Sequence, residues 1–240
     1  MSANRSTAVM QRRQPAPDAL DYFPTPPWAT RALCVFLQDQ GEALGQLSCW
    51  EPACGEMHMA RPLGEYFGRL TATDVHRYSM EHGICDFLIE GAGREADWIV
   101  TNPPFLLGQR FVETALRRAG RGVAMFVRQG FTESDERYQG IFAPFPPTYE
   151  LQFVERVVLL RGRLIRAGAP DPFNIDETTG EPRKASTATG YCWLVWLHGQ
   201  SDTRKRWIAK CRERLERPGD YPAYAEQWEA IRRRPDGGLL

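Results

Sequence analysis

Between residues 47 and 130, short apolar runs alternate with segments of helical spacing, and this alternation constrains the fold most strongly. LSCWEPA (47–53), RLTATDV (69–75), GICDF (83–87), ADWIVTNPPF (96–105) and GVAMFVRQG (122–130) read as strands. Helical periodicity lies between them, through Met57, Ala60, Leu63 and Phe67, and then through Phe111, Val112, Ala115 and Leu116. A further helix with Ala29, Leu33, Phe36 and Leu37 on one face precedes the first strand. Alternating elements of this length predict a doubly wound α/β domain, a mostly parallel sheet covered on both faces. In such sheets ligands bind beyond the carboxyl ends of the strands. Three of these strands end in Glu51, Asp74 and Asp86, and a fourth ends in Asn102-Pro103-Pro104-Phe105.

The second half is sparser in signal. YELQFVERVVLL (149–160) and TGYCWLVWLHG (189–199) read as strands. The polar stretch 162–188 between them carries three prolines and three glycines, long for a connection inside a domain. Residues 202–217 and 221–234 read as charged helices separated by Pro218-Gly219, and 1–20 as a loose polar arm.

Composition narrows the class. No apolar run approaches the ~18 residues of a membrane span, and the N-terminus lacks a signal-peptide pattern, so a cytoplasmic protein is expected. The six cysteines form no Cys-x-x-Cys pair and do not cluster with the four histidines, which argues against a zinc site or a disulfide framework. The formal net charge is +0, against a protein that coats nucleic acid by bulk charge. The basic side is nonetheless nearly all arginine, Lys184, Lys205 and Lys210 being the only lysines, and arginine is the better bidentate phosphate ligand.

The chemistry gathers at the strand ends. Glu51-Pro52-Ala53-Cys54-Gly55 is a strand-to-helix turn that can bring backbone N–H groups close to a ligand. A carboxylate at Asp74 can accept from a ribose diol. Asp86-Phe87 pairs an acceptor for an amine with a ring. Two prolines directly after a buried strand stiffen Asn102–Phe105 and remove two donors. The Asn102 side-chain oxygen and the Pro103 carbonyl are left as acceptors for a planar –NH2, beside the stacking face of Phe105. His58 and Trp50 are read as structural.

These motifs, in this order, resemble the class I S-adenosylmethionine-dependent methyltransferases, and within them the N6-adenine DNA amino-methyltransferases of the gamma arrangement. Phe23-Pro24-Thr25-Pro26-Pro27 is similar to the segment that precedes the cofactor loop in that family, residues 51–55 to the loop itself, and Asn102–Phe105 to the catalytic motif. The resemblance spans residues 21–131. It implies a Rossmann-like, mostly parallel seven-stranded sheet with one antiparallel strand and helices on both faces. It assigns the cofactor to Thr25, Pro26, Glu51, Pro52, Ala53, Cys54, Gly55, Asp74, Val75, Asp86, Phe87 and Asn102. Catalysis falls to Asn102, Pro103, Pro104 and Phe105. The implied reaction is direct transfer of a methyl group from S-adenosyl-L-methionine to a base amine, most simply adenine N6 of DNA, leaving S-adenosyl-L-homocysteine and needing no metal. The target would be flipped out of its stack.

Two positions depart from the pattern. Met57 stands where the family has a second glycine, and a bulky residue there is expected to narrow the pocket or shift the loop. Phe105 replaces the commoner tyrosine, which leaves stacking intact. On this reading residues 21–200 form the catalytic domain, with 162–188 as an insertion or recognition loop, and 201–240 form charged C-terminal helices. Arg161, Arg163, Arg166, Arg183 and Lys184 are candidate phosphate contacts, and Phe131 and Phe173 candidates for a second face against the base. The short remainder after residue 131 implies relaxed sequence specificity or a partner that supplies it, as in a small phage-type enzyme. RNA is the alternative substrate. A protein glutamine amide, or a nucleic-acid-binding module without activity, comes behind it.

Overall fold

Pro24 and Pro26 hold residues 21–26 away from helix, and Pro27 opens α1 (Pro27–Asp39) at a position where a missing N–H costs nothing. The structure, a computed structural model, describes residues 21–89 and 96–224. The expected N-terminal arm and most of the expected helix over 221–234 lie outside the described residues.

The sheet is built from β1 (Ser48–Glu51), β2 (Arg69–Asp74), β3 (Gly83–Ile84), β4 (Ala96–Thr101), β5 (Ala119–Arg128), β6 (Tyr149–Phe153), β9 (Tyr191–Leu197) and β10 (Arg204–Ile208). Two further strands, β7 (Pro170–Ile175) and β8 (Pro182–Lys184), pair separately. The order in the main sheet is β10-β6-β9-β5-β4-β1-β2-β3. Only β9 runs antiparallel to its neighbours, pairing with β5 on one side and β6 on the other. The fold class matches the expectation, with eight strands in the main sheet among the described residues rather than seven.

Side chains alternate across the pleat and feed two cores. Trp98, Val100, Ala124, Phe126, Trp193 and Val195 face one side, with Trp28 and Leu33 of α1 and Leu63 of α2 (Ala60–Gly64). Ile99, Val123, Met125, Leu194 and Trp196 face the other, with Phe111, Val112 and Ala115 of α3 (Gly108–Arg118). Each such buried side chain contributes roughly 1.5–3 kcal/mol. Burial on both faces explains why these strands read as continuous apolar runs.

Three expected elements differ. The helix foreseen over residues 56–67 is shortened to α2, because Met57 takes φ 71°, outside the right-handed helical region. The strand foreseen over 149–160 ends at Phe153, after which Val157, Val158 and Leu159 bury themselves off the sheet. Residues 202–217 are not one charged helix. They form β10 and then a single turn, α4 (Arg212–Leu215). An edge strand exposes much of its surface, so it carries the charge density of a solvated helix, and charges there block edge-to-edge pairing.

One buried charge ties the C-terminal segment down. Arg31, on α1, is 3% exposed and satisfies all five of its donors. Glu65 takes two, Asp220 takes two, and the Leu215 carbonyl takes the fifth. Removing one partner would strand a buried charge, the costly case. The stretch 162–188 is ordered around β7 and β8, with Asp176 accepting from Thr178 and Thr179 N–H in the connecting turn. Its Gly162 N–H donates to the Tyr22 carbonyl, so this stretch touches the N-terminal segment.

Candidate functional site

Because β1, β2, β4 and β5 run parallel, Glu51, Asp74, Asn102 and Arg128 arrive at one edge of the sheet. The chain order reverses between β1 and β4, the place where such folds leave a crevice. A cavity of about 450 Å³ opens there. Of the residues assigned to a cofactor, Thr25, Glu51, Pro52, Ala53, Cys54, Asp74, Val75, Asp86, Phe87 and Asn102 line it. Pro26 and Gly55 do not. Pro26 caps α1, its carbonyl accepting from Ala29 N–H, and Gly55 turns the loop beneath Tyr22.

Glu51 is 1% exposed, and its Oε2 is buried without a hydrogen-bond partner. Burial, and then the charge of Asp74, push its carboxyl well above the usual carboxylate range. Asp74 braces the loop. Its Oδ2 accepts from Gly55 N–H at 2.9 Å and its Oδ1 from His76 N–H at 2.9 Å. The diol-binding expectation left those two bonds unseen. Asp86 is exposed, with Oδ1 accepting from Leu88 N–H. The Phe87 ring sits between Trp50 and Phe111 in the core and under the Arg118 guanidinium. Trp50 is core, as read, its indole N–H donating to Thr73 Oγ1.

Gly55 is held at φ 51°, and a Cβ there would lie 2.4 Å from Tyr22 Cε2. Tyr22 packs against Tyr78 with tilted rings, centroids 4.9 Å apart, forming an aromatic wall over the loop. Met57 does not narrow the cavity. It copies glycine's left-handed backbone while its side chain buries against Cys54 and Ala60 on the far side of the loop. Burial also pushes the Cys54 thiol up, which removes it as a nucleophile. Burial lowers the His58 pKa, opposed by Glu56 at 3.2 Å.

The Asn102 amide is fixed by its surroundings. Nδ2 donates to the Phe23 carbonyl at 2.8 Å and to Thr25 Oγ1 at 3.1 Å. A flipped amide would set its oxygen against the Phe23 carbonyl, so the network assigns the oxygen to the other side. That Oδ1 is buried with no partner. Phe105 N–H donates to Asp21, which ties the residue 21–27 segment to the Asn-Pro-Pro-Phe turn.

A second cavity, about 500 Å³, lies on the other side of that turn. Pro103 and Phe105 wall both. Phe131 lines the second cavity and packs against Phe142. Phe173 lines neither and packs on Tyr224. The face of Phe105 is covered by the Arg128 guanidinium, 3.8 Å from the ring centroid. Arg128, Gln129 and Arg137 were missed, although Arg128 ends a parallel strand just as Glu51 and Asp74 do.

The candidate phosphate contacts fare unevenly. Arg163 is paired with buried Asp171, Arg166 with Glu216 and Arg183 with Asp176. Arg161 and Lys184 make no ion pair among the described residues. Among those residues, too, no helix is long and apolar enough to cross a membrane.

No family model matches the sequence, and no curated protein does. Solved structures do. A putative RNA methyltransferase from Pyrococcus horikoshii superposes with TM-score 0.52 at 12% identity, covering 79% of this chain and 95% of the other. A modification subunit of a putative type I restriction enzyme from Vibrio vulnificus gives 0.49 at 15% identity, covering 94% and 55%. A putative class I S-adenosylmethionine-dependent methyltransferase from Listeria monocytogenes gives 0.49 at 11%, covering 83% and 68%. With its sheet order, its antiparallel strand β9 and the first of these likenesses, the chain has a Rossmann-like methyltransferase fold.

Proposed function

We propose that this protein transfers a methyl group from S-adenosylmethionine to the exocyclic amine of a base, with adenine N6 in DNA as the target. The observation that carries the reading is Asn102 Oδ1: a rigidly oriented, buried acceptor without a partner, on a residue that lines the first cavity and directly precedes Pro103, which walls both. An orphaned buried acceptor is costly unless a ligand supplies the donor. An amine N–H is such a donor.

The first cavity fits the cofactor. Its size is that of a small-molecule site, and the unpartnered Glu51 Oε2 faces a ligand that brings donors or positive charge. S-adenosylmethionine, when bound, supplies a methyl group on a positively charged sulfur. A bound cation would lower the raised Glu51 pKa, since a nearby positive charge stabilises the carboxylate. Asp74 holds the loop shape through Gly55 and His76. Asp21 and Thr25 hold Asn102–Phe105 against the cofactor side.

On the substrate side, Asn102 Oδ1 accepts from the target amine and directs its lone pair across the wall. Positioning of this kind accounts for the catalysis. Phe105 and Phe131 offer ring faces to the base. A base stacks on Phe105 only after Arg128 leaves that ring, and its exposed position lets it turn to a phosphate. The order of motifs around residues 21–105 supports DNA. The test is methyl transfer from a methyl-labelled cofactor to duplex DNA, single-stranded DNA, RNA and protein, followed by nucleoside digestion. N6-methyladenine in DNA is the expected product. Label in RNA or protein alone would reassign the substrate, and no label with cofactor bound would remove the reading.

A further inference from the structure

Trp207 is 64% exposed on the outermost strand, an unusual place for the largest side chain. It makes no ring contact among the described residues. Strand register connects it to the second cavity. Trp207 lies beside Gln152, Gln152 beside Cys192, and Cys192 beside Val127, which lines that cavity. Partners in register share a face, so the four form one row across β10, β6, β9 and β5. Three strand spacings set Trp207 about 14 Å from Val127. The row is also bonded along its edge: Gln129, lining the cavity, donates to Gln152 Oε1 at 2.6 Å.

Val154, at the bend directly after β6, is 58% exposed. Arg206, next to Trp207 in β10, pairs in register with Leu151 and so points to the opposite face, while Arg156, two residues beyond Val154, carries no carboxylate partner among the described residues. An exposed ring with a guanidinium group free of any carboxylate nearby is what a single-stranded nucleic acid recognises: rings stack on bases and cations meet phosphates.

We propose that Trp207 is a base-stacking platform that holds an unpaired nucleotide of the substrate strand, a few positions from the target in the second cavity. This rests on the nucleic-acid reading above. It makes the edge strand part of the substrate groove and gives that groove its second point of hold on the strand.

The test compares Trp207→Ala and Trp207→Phe, both in a Trp228→Phe background, using single-stranded and duplex oligonucleotides that contain the target base. The other described tryptophans are at most 4% exposed, so iodide-accessible emission reports Trp207. Oligonucleotide binding should quench that emission. Trp207→Ala should weaken oligonucleotide binding roughly 5- to 100-fold, Trp207→Phe should retain most of it, and cofactor affinity and melting temperature should not move. Wild-type affinity and turnover in Trp207→Ala would overturn the proposal while leaving the methyltransferase reading intact. So would Trp207 emission already shielded from iodide in the free protein, whether by its own chain or by a second copy at rising concentration. Failure of the parent protein to bind any oligonucleotide at low salt, with cofactor bound, would end the nucleic-acid reading and this proposal with it.

Discussion

The two cavities on either side of Phe105 share a wall and carry opposite chemistry. On one side Asp21, Glu51, Asp74 and Asp86 line the space, with Arg110 as the sole arginine. On the other, Arg128 and Arg137 face a single acid, Glu133. One side suits a cationic small molecule and the other suits a polyanion. A chain with zero net charge thus separates its charges across one proline-stiffened turn, which a whole-chain sum cannot reveal. The distant arginines add little, because Arg163, Arg166 and Arg183 are spent on Asp171, Glu216 and Asp176.

The most damaging break in this comparison is at the wall. Asn102→Ala removes the unpartnered acceptor that directly precedes the shared wall and should lower methyl transfer by about 10²–10³-fold, while cofactor affinity changes only a few-fold. Calorimetry and a radiometric assay on one preparation measure both. Equal loss of cofactor binding would mean Asn102 serves the cofactor cavity alone.

Glu51→Gln should strike only the acidic side, weakening cofactor binding by roughly 10-fold or more, since hydrogen bonds to charged groups are the stronger kind. Its pH signature has a fixed sign. The native carboxyl binds its proton more tightly than the unfolded chain, where a glutamate titrates near about 4.3. That contribution to stability is complete below the unfolded value and is lost as pH rises through the raised native one. Melting of the unliganded protein should therefore decline over the window above the ordinary carboxylate range, and Glu51→Gln should flatten the decline. Cofactor affinity of the parent protein should rise with pH over the same window.

Arg128→Ala is the counterpart on the basic side. It should leave cofactor affinity alone, weaken oligonucleotide binding several-fold and reduce the salt dependence by about one phosphate contact. A change in cofactor affinity instead would merge the two cavities into one site. The smallest effect belongs to Met57→Gly. Relief of the left-handed backbone returns about 1 kcal/mol, less than the roughly 1.5–3 kcal/mol of the buried side chain, so melting should fall slightly. Cofactor affinity should hold, because that side chain lies behind the loop.

Much of the cofactor side was legible, because a strand buried on both faces is an unmistakable apolar run and its last residue must lie at the sheet edge. Glu51, Asp74 and Asn102 follow from that alone. What escaped was decided by partners far along the chain. Whether Arg166 is free depends on Glu216, fifty residues later. Whether residues 204–208 are strand or helix depends on β6, which supplies their hydrogen bonds, since Arg-Lys-Arg-Trp-Ile suits either on local grounds. Arg128 was missed for a different reason. The arginine of a strand end looks like a solvated charge until the ring beneath it is known.

Met57 shows what the cofactor loop really requires. The position demands a backbone turned to the left, and glycine is simply its cheapest supplier. A methionine that gains its anchorage underneath the loop holds the same curve. A chain with such a turn can therefore hide from any search keyed to the spacing of glycines, and a search keyed to the torsion angles of the strand-to-helix turn would find it.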